Sequence, residues 1–129
     1  TTRTMSAAAG GGHLAVVKWL HENRSEGCTA AAMNNAAGQA SMLKWLKSNR
    51  SEGCTSLAMH MTAYRGNLVV LRWLPENTSV RPLPRTMDNA ADGGRLDIVK
   101  WLHKVGAGCT ADAMNNAASN GHLDVVKWL

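Results

Sequence analysis

The chain has 129 residues and a formal charge of +5, from 14 lysines and arginines against 9 aspartates and glutamates, and this excess is dispersed along the chain. A dispersed excess of this size does not define a class of partner. No stretch approaches the roughly 18 consecutive apolar residues of a membrane span, and the first residues lack the charged and then apolar pattern of a signal peptide, so neither segment is predicted.

One short phrase occurs five times, and its clearest form is Gly-His-Leu-Asp-Val-Val-Lys-Trp-Leu at 121–129. Each copy contains one of the five tryptophans, and the copies recur about every 27 residues. Such a period indicates stacked units, each of which buries its apolar face only against its neighbours. The last unit stops at Leu129, short of the length of the other units, so the chain is predicted to be a piece of a longer repeat chain. The predicted units are 1–27, 28–53, 54–79, 80–108 and 109–129.

Each unit opens with a predicted first helix that is rich in small residues. In the last unit Thr110 can cap a helix over 111–118, and Asn120-Gly121 ends it. Small side chains make this row of helices thin, so it is predicted to form the concave side of the array. A recurring methionine and a recurring pair of small residues are both predicted to be core. These are Met5, Met33, Met59, Met87 and Met114, and Ala7-Ala8, Ala36-Ala37, Thr62-Ala63, Ala90-Ala91 and Ala117-Ala118.

A predicted second helix follows the glycine of each phrase. In the last unit Val125, Val126 and Leu129 fall on one apolar arc with Trp128 at its edge, whereas Lys127 faces water. The tryptophans are therefore expected at the edge of the core. The basic residue before each tryptophan forms a ladder along the outer row, namely Lys18, Lys44, Arg72, Lys100 and Lys127.

Two units depart from this pattern. The second lacks two residues before Gly38, which predicts a tighter turn between its helices. The three prolines of the chain cluster at the end of the third unit and directly after it, as Pro75, Pro82 and Pro84. Of these, Pro82 and Pro84 favour an extended entry into the fourth unit.

The stretch Ala-Ala-Ser-Asn-Gly-His-Leu-Asp-Val-Val-Lys at 117–127 resembles the middle of an ankyrin repeat, usually worded Ala-Ala-x-x-Gly-His-Leu-Glu-Val-Val-Lys. The likeness extends over all five units and implies an all-α solenoid of stacked helix-turn-helix ankyrin-like repeats. Ankyrin repeats usually have about 33 residues. The deficit falls where the family has its β-hairpin, so reduced or absent hairpins are expected, as in short-loop tandem varieties. The family's Thr-Pro-Leu-His opening is replaced by Asp-Ala-Met-Asn at 112–115, so its Thr-to-His bond is not expected.

The repetition argues against catalysis, because a repeat supplies one group at regular steps and catalysis needs different groups at one point. Gly10-Gly11-Gly12 has no preceding strand and no following Lys-Ser/Thr, so it is predicted to be a turn and not a phosphate-binding loop. No enzyme activity, cofactor or metal is predicted. Cys28, Cys54 and Cys109 hold equivalent positions, too far apart for a disulfide. Unpaired thiols favour an intracellular compartment, cytoplasmic or nuclear.

The resemblance implies a non-catalytic scaffold for protein–protein interaction, which presents side chains of the first helices and adjoining turns on a concave surface. The candidate residues lie directly after the methionine and after the small pair of each unit. Tyr64 and Arg65 combine an aromatic ring with a guanidinium, residue types enriched in binding hot spots. The candidate partner-binding residues are Asn34, His60, Tyr64, Arg65, Asp88, Asp92 and Asn115.

Two alternatives remain open. The outer basic ladder, with a tryptophan beside each cation, is a possible nucleic-acid surface on which bases stack. Its expected place on the convex side, next to indoles that extend the core, argues against this function. The third hypothesis is a spacer segment of a larger protein, with no partner of its own.

Overall fold

The computed structural model describes residues 2–24, 31–36, 39–50 and 55–129, which form ten α-helices and, within these ranges, no strand. The all-α prediction is confirmed. The connections at 78–83 and 105–110 contain no hairpin, whereas those at 25–30 and 51–54 lie outside the described residues. The helices are α1 (Thr2–Gly10), α2 (Leu14–Asn23), α3 (Ala31–Asn35), α4 (Ala40–Asn49), α5 (Ser56–Arg65), α6 (Leu68–Asn77), α7 (Pro84–Asp92), α8 (Leu96–Lys104), α9 (Ala111–Ser119) and α10 (Leu123–Trp128).

The helices form five successive pairs, one in each predicted unit, although the bounds of the units stay a prediction. The first helices α1, α3, α5, α7 and α9 pack against one another as one row, and the second helices form the other row. Neighbouring first helices approach each other more closely than neighbouring second helices do. This unequal spacing tilts successive pairs and puts the first row on the shorter side of the array.

The helix ends follow local rules. The Thr110 side chain accepts a hydrogen bond from the Asp112 N–H at 3.1 Å, which caps α9 as predicted. Gly66 ends α5 at φ 86°, in the left-handed region that favours glycine. Leu83 is extended and Pro84 begins α7, so the predicted entry into the fourth pair is confirmed. Pro75 lies inside α6, which nevertheless continues to Asn77.

The methionine column forms the core of the first row. Met5, Met33, Met59 and Met87, each followed by another helix pair, are buried, whereas Met114, in the last of the five pairs, is exposed. The methionines therefore point toward the following pair. The small-residue column needs two corrections, since Ala7 and Ala118 are exposed and the buried pair in α1 is Ala8-Ala9, whereas Ala37 lies outside the described residues. The methionine and the small pair lie three and four residues apart, so they share one face of the helix.

The second row has its own apolar column. Leu46, Leu74 and Leu102 are fully buried, and the tryptophans beside them, Trp45, Trp73 and Trp101, are partly buried against the core. Two indoles also meet a histidine of the preceding pair edge to face. These contacts join His21 to Trp45 and His103 to Trp128, each with ring centroids 5.2 Å apart. The indoles thus contribute to packing between pairs.

The column directly after the methionine differs from expectation. Asn34, His60 and Asp88 are only 6%, 7% and 6% exposed, so they do not lie on an open surface. One residue after the methionine, the side chain still faces the next pair and not the solvent. Asn115 is exposed because it belongs to the last pair. These positions are predicted to lie on the concave surface, whereas each of the three buried side chains has a polar partner in the next pair.

Two of these partners are the threonines that cap the next first helix. The Thr55 N–H donates to Asn34 Oδ1 at 3.1 Å, and Asn34 Nδ2 donates to Thr55 Oγ1 at 2.9 Å. Asp88 repeats the arrangement, because its two carboxylate oxygens accept from the Thr110 N–H at 3.0 Å and from the Thr110 hydroxyl at 2.7 Å. A buried polar side chain therefore fixes the helix start of the following pair.

A second set of hydrogen bonds joins the turns of neighbouring pairs. The residue after the glycine of the phrase donates to a backbone carbonyl at the end of the preceding first helix. Helix C-termini leave such carbonyls without partners in the helix, so these bonds satisfy them. The bonds run from Gln39 Nε2 to the Gly10 oxygen (3.0 Å), from Arg95 Nε to the Tyr64 oxygen (3.1 Å) and from His122 Nε2 to the Asp92 oxygen (3.0 Å).

The Asp88 bonds predict a specific pattern of stability. Asp88→Ala is expected to lower the free energy of unfolding by about 1 to 3 kcal/mol, because two bonds to a charged group are lost. Asp88→Asn copies Asn34 and is expected to retain most of that stability, since an amide can accept from the Thr110 N–H and donate to its hydroxyl. Urea denaturation of the two variants measures the difference. Equal losses in both would contradict this role.

Candidate functional site

An open groove lies between α5 and α7, on the first row of helices. Its volume is about 360 Å³, and it is called the α5–α7 groove below. It brings together three of the predicted site residues. The lining side chains are Leu57, His60, Met61, Tyr64, Arg65 and Asn89.

The helical spacing of α5 produces this lining. Leu57, Met61 and Tyr64 follow one another at intervals of four and three residues, which places them on one side of the helix. The opposite side of α5 carries Met59 and Ala63, which are fully buried. The core therefore fixes the rotation of α5 and turns the stripe toward the groove. Leu57 and Met61 were missed by sequence reasoning, although their spacing from Tyr64 could have indicated them.

Tyr64 and Arg65 form the outer wall of the groove. Tyr64 is 50% exposed, and its backbone carbonyl accepts from Arg95 Nε at 3.1 Å. Arg65 is exposed, and its Nη1 donates to the Asn35 carbonyl at 3.4 Å on the preceding first helix. Neighbouring pairs on both sides thus hold this segment. The wall offers an aromatic ring and a guanidinium on a rigid support.

His60 lies at the base of the groove and is buried. Its Nδ1 lies 3.0 Å from Thr86 Oγ1, and the same hydroxyl oxygen accepts from the Leu83 N–H at 3.1 Å. Burial lowers the pKa of His60 below 6.5, and the charge of Arg85 lowers it further, with a partial offset from Asp88. The neutral ring can accept a hydrogen bond from the Thr86 hydroxyl at Nδ1. His60 therefore positions the fourth pair, as Asn34 and Asp88 position their neighbours.

Asp88 and Asp92, two of the candidate partner-binding residues, do not line the groove. The Asp88 carboxylate is directed at Thr110, and Asp92 accepts through its carboxylate from the side chain of Asn120. Asn89 is the residue of α7 that faces the groove. Asn34, on α3, and Asn115, on α9, also lie outside it. The charge at the wall of the groove is therefore positive, from Arg65.

Across the described ranges, none of the helices combines the length and the apolar character needed to cross a membrane. The part of the chain that the structure describes also contains no cluster of three or more His, Cys, Asp and Glu side chains able to hold a metal ion. Cys109 is an exposed free thiol, whereas Cys28 and Cys54 lie outside the described residues.

Comparison with known families identifies the repeats. Residues 87–129, which run from α7 into α10, match the family model described as ankyrin repeats (many copies). The match confirms the predicted ankyrin repeats over these residues. The same phrase recurs in the preceding units, each of which also forms a helix pair. Ankyrin repeats generally mediate protein–protein interaction and are typically non-catalytic. No match is found among the curated proteins.

The lowered pKa of His60 predicts a pH dependence of stability. The unfolded chain takes up a proton on this ring near pH 6.5, whereas the folded protein does not, so the free energy of unfolding falls as the pH falls below about 6.5. Thermal unfolding at about pH 7.5 and about pH 5.5 measures this loss. His60→Gln is expected to show a smaller loss than the unmodified chain. The exposed His13, changed to Gln, is the control, and curves for His60→Gln parallel to those of the unmodified chain would contradict the assignment.

Proposed function

We propose that this protein is a non-catalytic scaffold that binds a protein partner, and that the α5–α7 groove is its principal contact site. The observation that carries the proposal is the joining of Tyr64, Arg65 and two apolar side chains in one open groove. Aromatic and arginine side chains dominate binding hot spots when they flank a surface from which water can be excluded. Leu57 and Met61 supply that apolar surface.

The rigidity of the groove supports this function. α5 is capped by Thr55, ends at a left-handed Gly66 and is held by bonds from both neighbouring pairs. A wall that is already ordered loses little conformational entropy when a partner binds. Methionine adapts its shape to the partner because its side chain is unbranched and polarisable. The groove therefore suits an apolar side chain of a bound segment, with an acidic group beside it for Arg65.

The remaining candidate residues take two different parts in this proposal. Asp92 and Asn115 extend the contact surface along the following pairs, where Asp92 is partly buried and Asn115 exposed. Asn34 and Asp88 act indirectly, because their bonds to Thr55 and Thr110 set the positions of neighbouring first helices. A change at either residue alters the spacing of the surface.

The alternative of nucleic-acid binding has weaker support. The five cations of the outer ladder are exposed. However, the three inner tryptophans, which this alternative would use to stack on bases, pack against the core as expected. Stacking of bases requires an accessible ring face. A spacer without a partner is the other alternative, and it predicts that no ligand depends on the groove.

The proposal predicts that Tyr64→Ala combined with Arg65→Ala weakens binding without unfolding the protein. Both side chains are exposed, so the free energy of unfolding is expected to stay within about 1 kcal/mol of the unmodified chain. Peptides are first selected from a randomised library on the immobilised unmodified protein. Their affinity for the double variant is expected to fall by about tenfold or more, because hot-spot truncation costs about 2 kcal/mol.

The matched control removes two cations from the outer ladder, Lys18→Ala and Lys100→Ala, and is expected to leave peptide affinity unchanged. A selection in which every peptide binds the groove variant as tightly as the unmodified protein would contradict the proposal. A selection that yields no specific peptide would count against it as well and favour the spacer. A loss of affinity confined to the ladder variant would indicate that the peptides bind the second row of helices and not the groove.

A further inference from the structure

A second cleft lies on the opposite row, between the second helices α4 and α6. Its volume is about 440 Å³, and it is called the α4–α6 cleft below. Ala40 and Leu43 line it from α4, and Leu68, Val69 and Trp73 line it from α6. Its lining is thus mostly apolar. The cleft lies on the second row of helices, whereas the α5–α7 groove lies on the first.

The sequence of the second unit explains why the cleft exists. The position of Ala40 is occupied by leucine in each of the other four units, as Leu14, Leu68, Leu96 and Leu123. The smaller side chain leaves unfilled the space that a leucine at this position would occupy. The neighbouring Leu43 is fully buried, so α4 remains packed on the core while its outer edge is open. The cleft is therefore a departure of one unit from the pattern of the array.

A second and independent departure lies at the same cleft. Val69 is 74% exposed, an unusual environment for an aliphatic side chain that lines a cleft. The equivalent positions in the other units carry small or acidic residues, namely Ala15, Ser41, Asp97 and Asp124. Isolated exposed apolar residues are common on protein surfaces. Here, however, the exposed valine borders the one position where a leucine has been lost.

The charge around the cleft is also unlike that of the later units. Asp97 and Asp124 lie three residues before Lys100 and Lys127, a spacing at which opposite charges attract on a helix. Val69 and Ser41 take that place before Arg72 and Lys44, so neither cation has an acidic residue three positions before it, and only Arg72 has one, Glu76, four positions after it. Both cations line the cleft, together with the single acid Glu76. The rim therefore carries a net positive charge.

We infer that the α4–α6 cleft is a second docking site, which binds an acidic peptide segment of a partner protein. A large apolar side chain of the segment fills the space next to Ala40 and contacts Val69 and Trp73. Carboxylates on either side of it pair with Lys44 and Arg72. The inference takes from the proposed function only that the partner is a protein. An apolar lining of this extent fits a peptide side chain better than a phosphate backbone.

Two fluorescent probes test the cleft directly. Anilinonaphthalene sulfonate has an apolar ring system and a negative charge, and phenylnaphthylamine is its uncharged analogue. Ala40→Leu and Val69→Asp each restore a residue that other units carry, so both variants are expected to fold. Either change is expected to lower the affinity for the anionic probe by about fivefold or more, equivalent to about 1 kcal/mol. Ala15→Asp makes a matched change in the first pair and is expected to have no effect.

Charge and partner class are tested with the same variants. Lys44→Gln with Arg72→Gln is expected to weaken the anionic probe and to spare the uncharged one. A short peptide of glutamates around a single Trp-Leu pair is expected to displace the anionic probe, and to do so better than a single-stranded oligonucleotide. Unchanged probe affinity in Ala40→Leu, or better displacement by the oligonucleotide, would overturn the inference.

The test is separate from that of the α5–α7 groove. Tyr64→Ala with Arg65→Ala leaves the α4–α6 cleft intact and is expected to bind both probes as the unmodified chain does. Loss of peptide binding at the groove with probe binding retained at the cleft would support the two sites independently. Equal loss of probe binding in the groove variant and in Ala40→Leu would show that the probes do not report on the cleft, and would overturn the inference.

Discussion

The structure depends on how each helix pair holds the start of the next one. A polar side chain directly after the buried methionine reaches the threonine that opens the following first helix, as Asn34 does with Thr55 and Asp88 with Thr110. These bonds are made beside a column of methionine and alanine that excludes water. In such an array stability comes from the interfaces between neighbours, so every interface that carries such a bond adds to the stability of the array.

This constraint also decides which residues are free to serve a partner. A side chain that faces the next pair is committed to packing, whereas a residue on the open side of the same helix can change without cost to the array. Tyr64 and Leu57 are on the open side of α5. His60 has both functions, because it lines the base of the groove and also contacts Thr86 of the next pair. Between the third and fourth pairs Leu83 occupies the position that Thr55 and Thr110 occupy in their pairs, and it has no hydroxyl. Thr86 therefore supplies the hydroxyl that contacts the preceding pair and accepts from the Leu83 N–H.

The sequence alone predicted the helix pairs, the methionine column and the family, because all three follow from a pattern repeated five times. It also predicted that His60, Tyr64 and Arg65 meet, since they share one helix. It failed to predict that Asn34, His60 and Asp88 are buried, because the residue type varies along this column as it does along an exposed surface. Hydrogen bonds between pairs tolerate such variation, since asparagine, aspartate and histidine can each accept from a backbone or hydroxyl group. The α4–α6 cleft exists because Ala40 stands where the other units have leucine. The space that this alanine leaves unfilled becomes visible only once the helices are placed.

Hydrogen exchange at the backbone amides of Thr55 and Thr110 tests the bond between pairs most directly. These amides precede the first turn of α5 and α9, where a helix offers no acceptor of its own, so exchange is expected to be fast unless another group protects them. With Asn34 and Asp88 as acceptors at 3.1 and 3.0 Å, both amides should exchange as slowly as amides in the interior of the helices. Exchange at the rate of an unstructured segment would contradict the account.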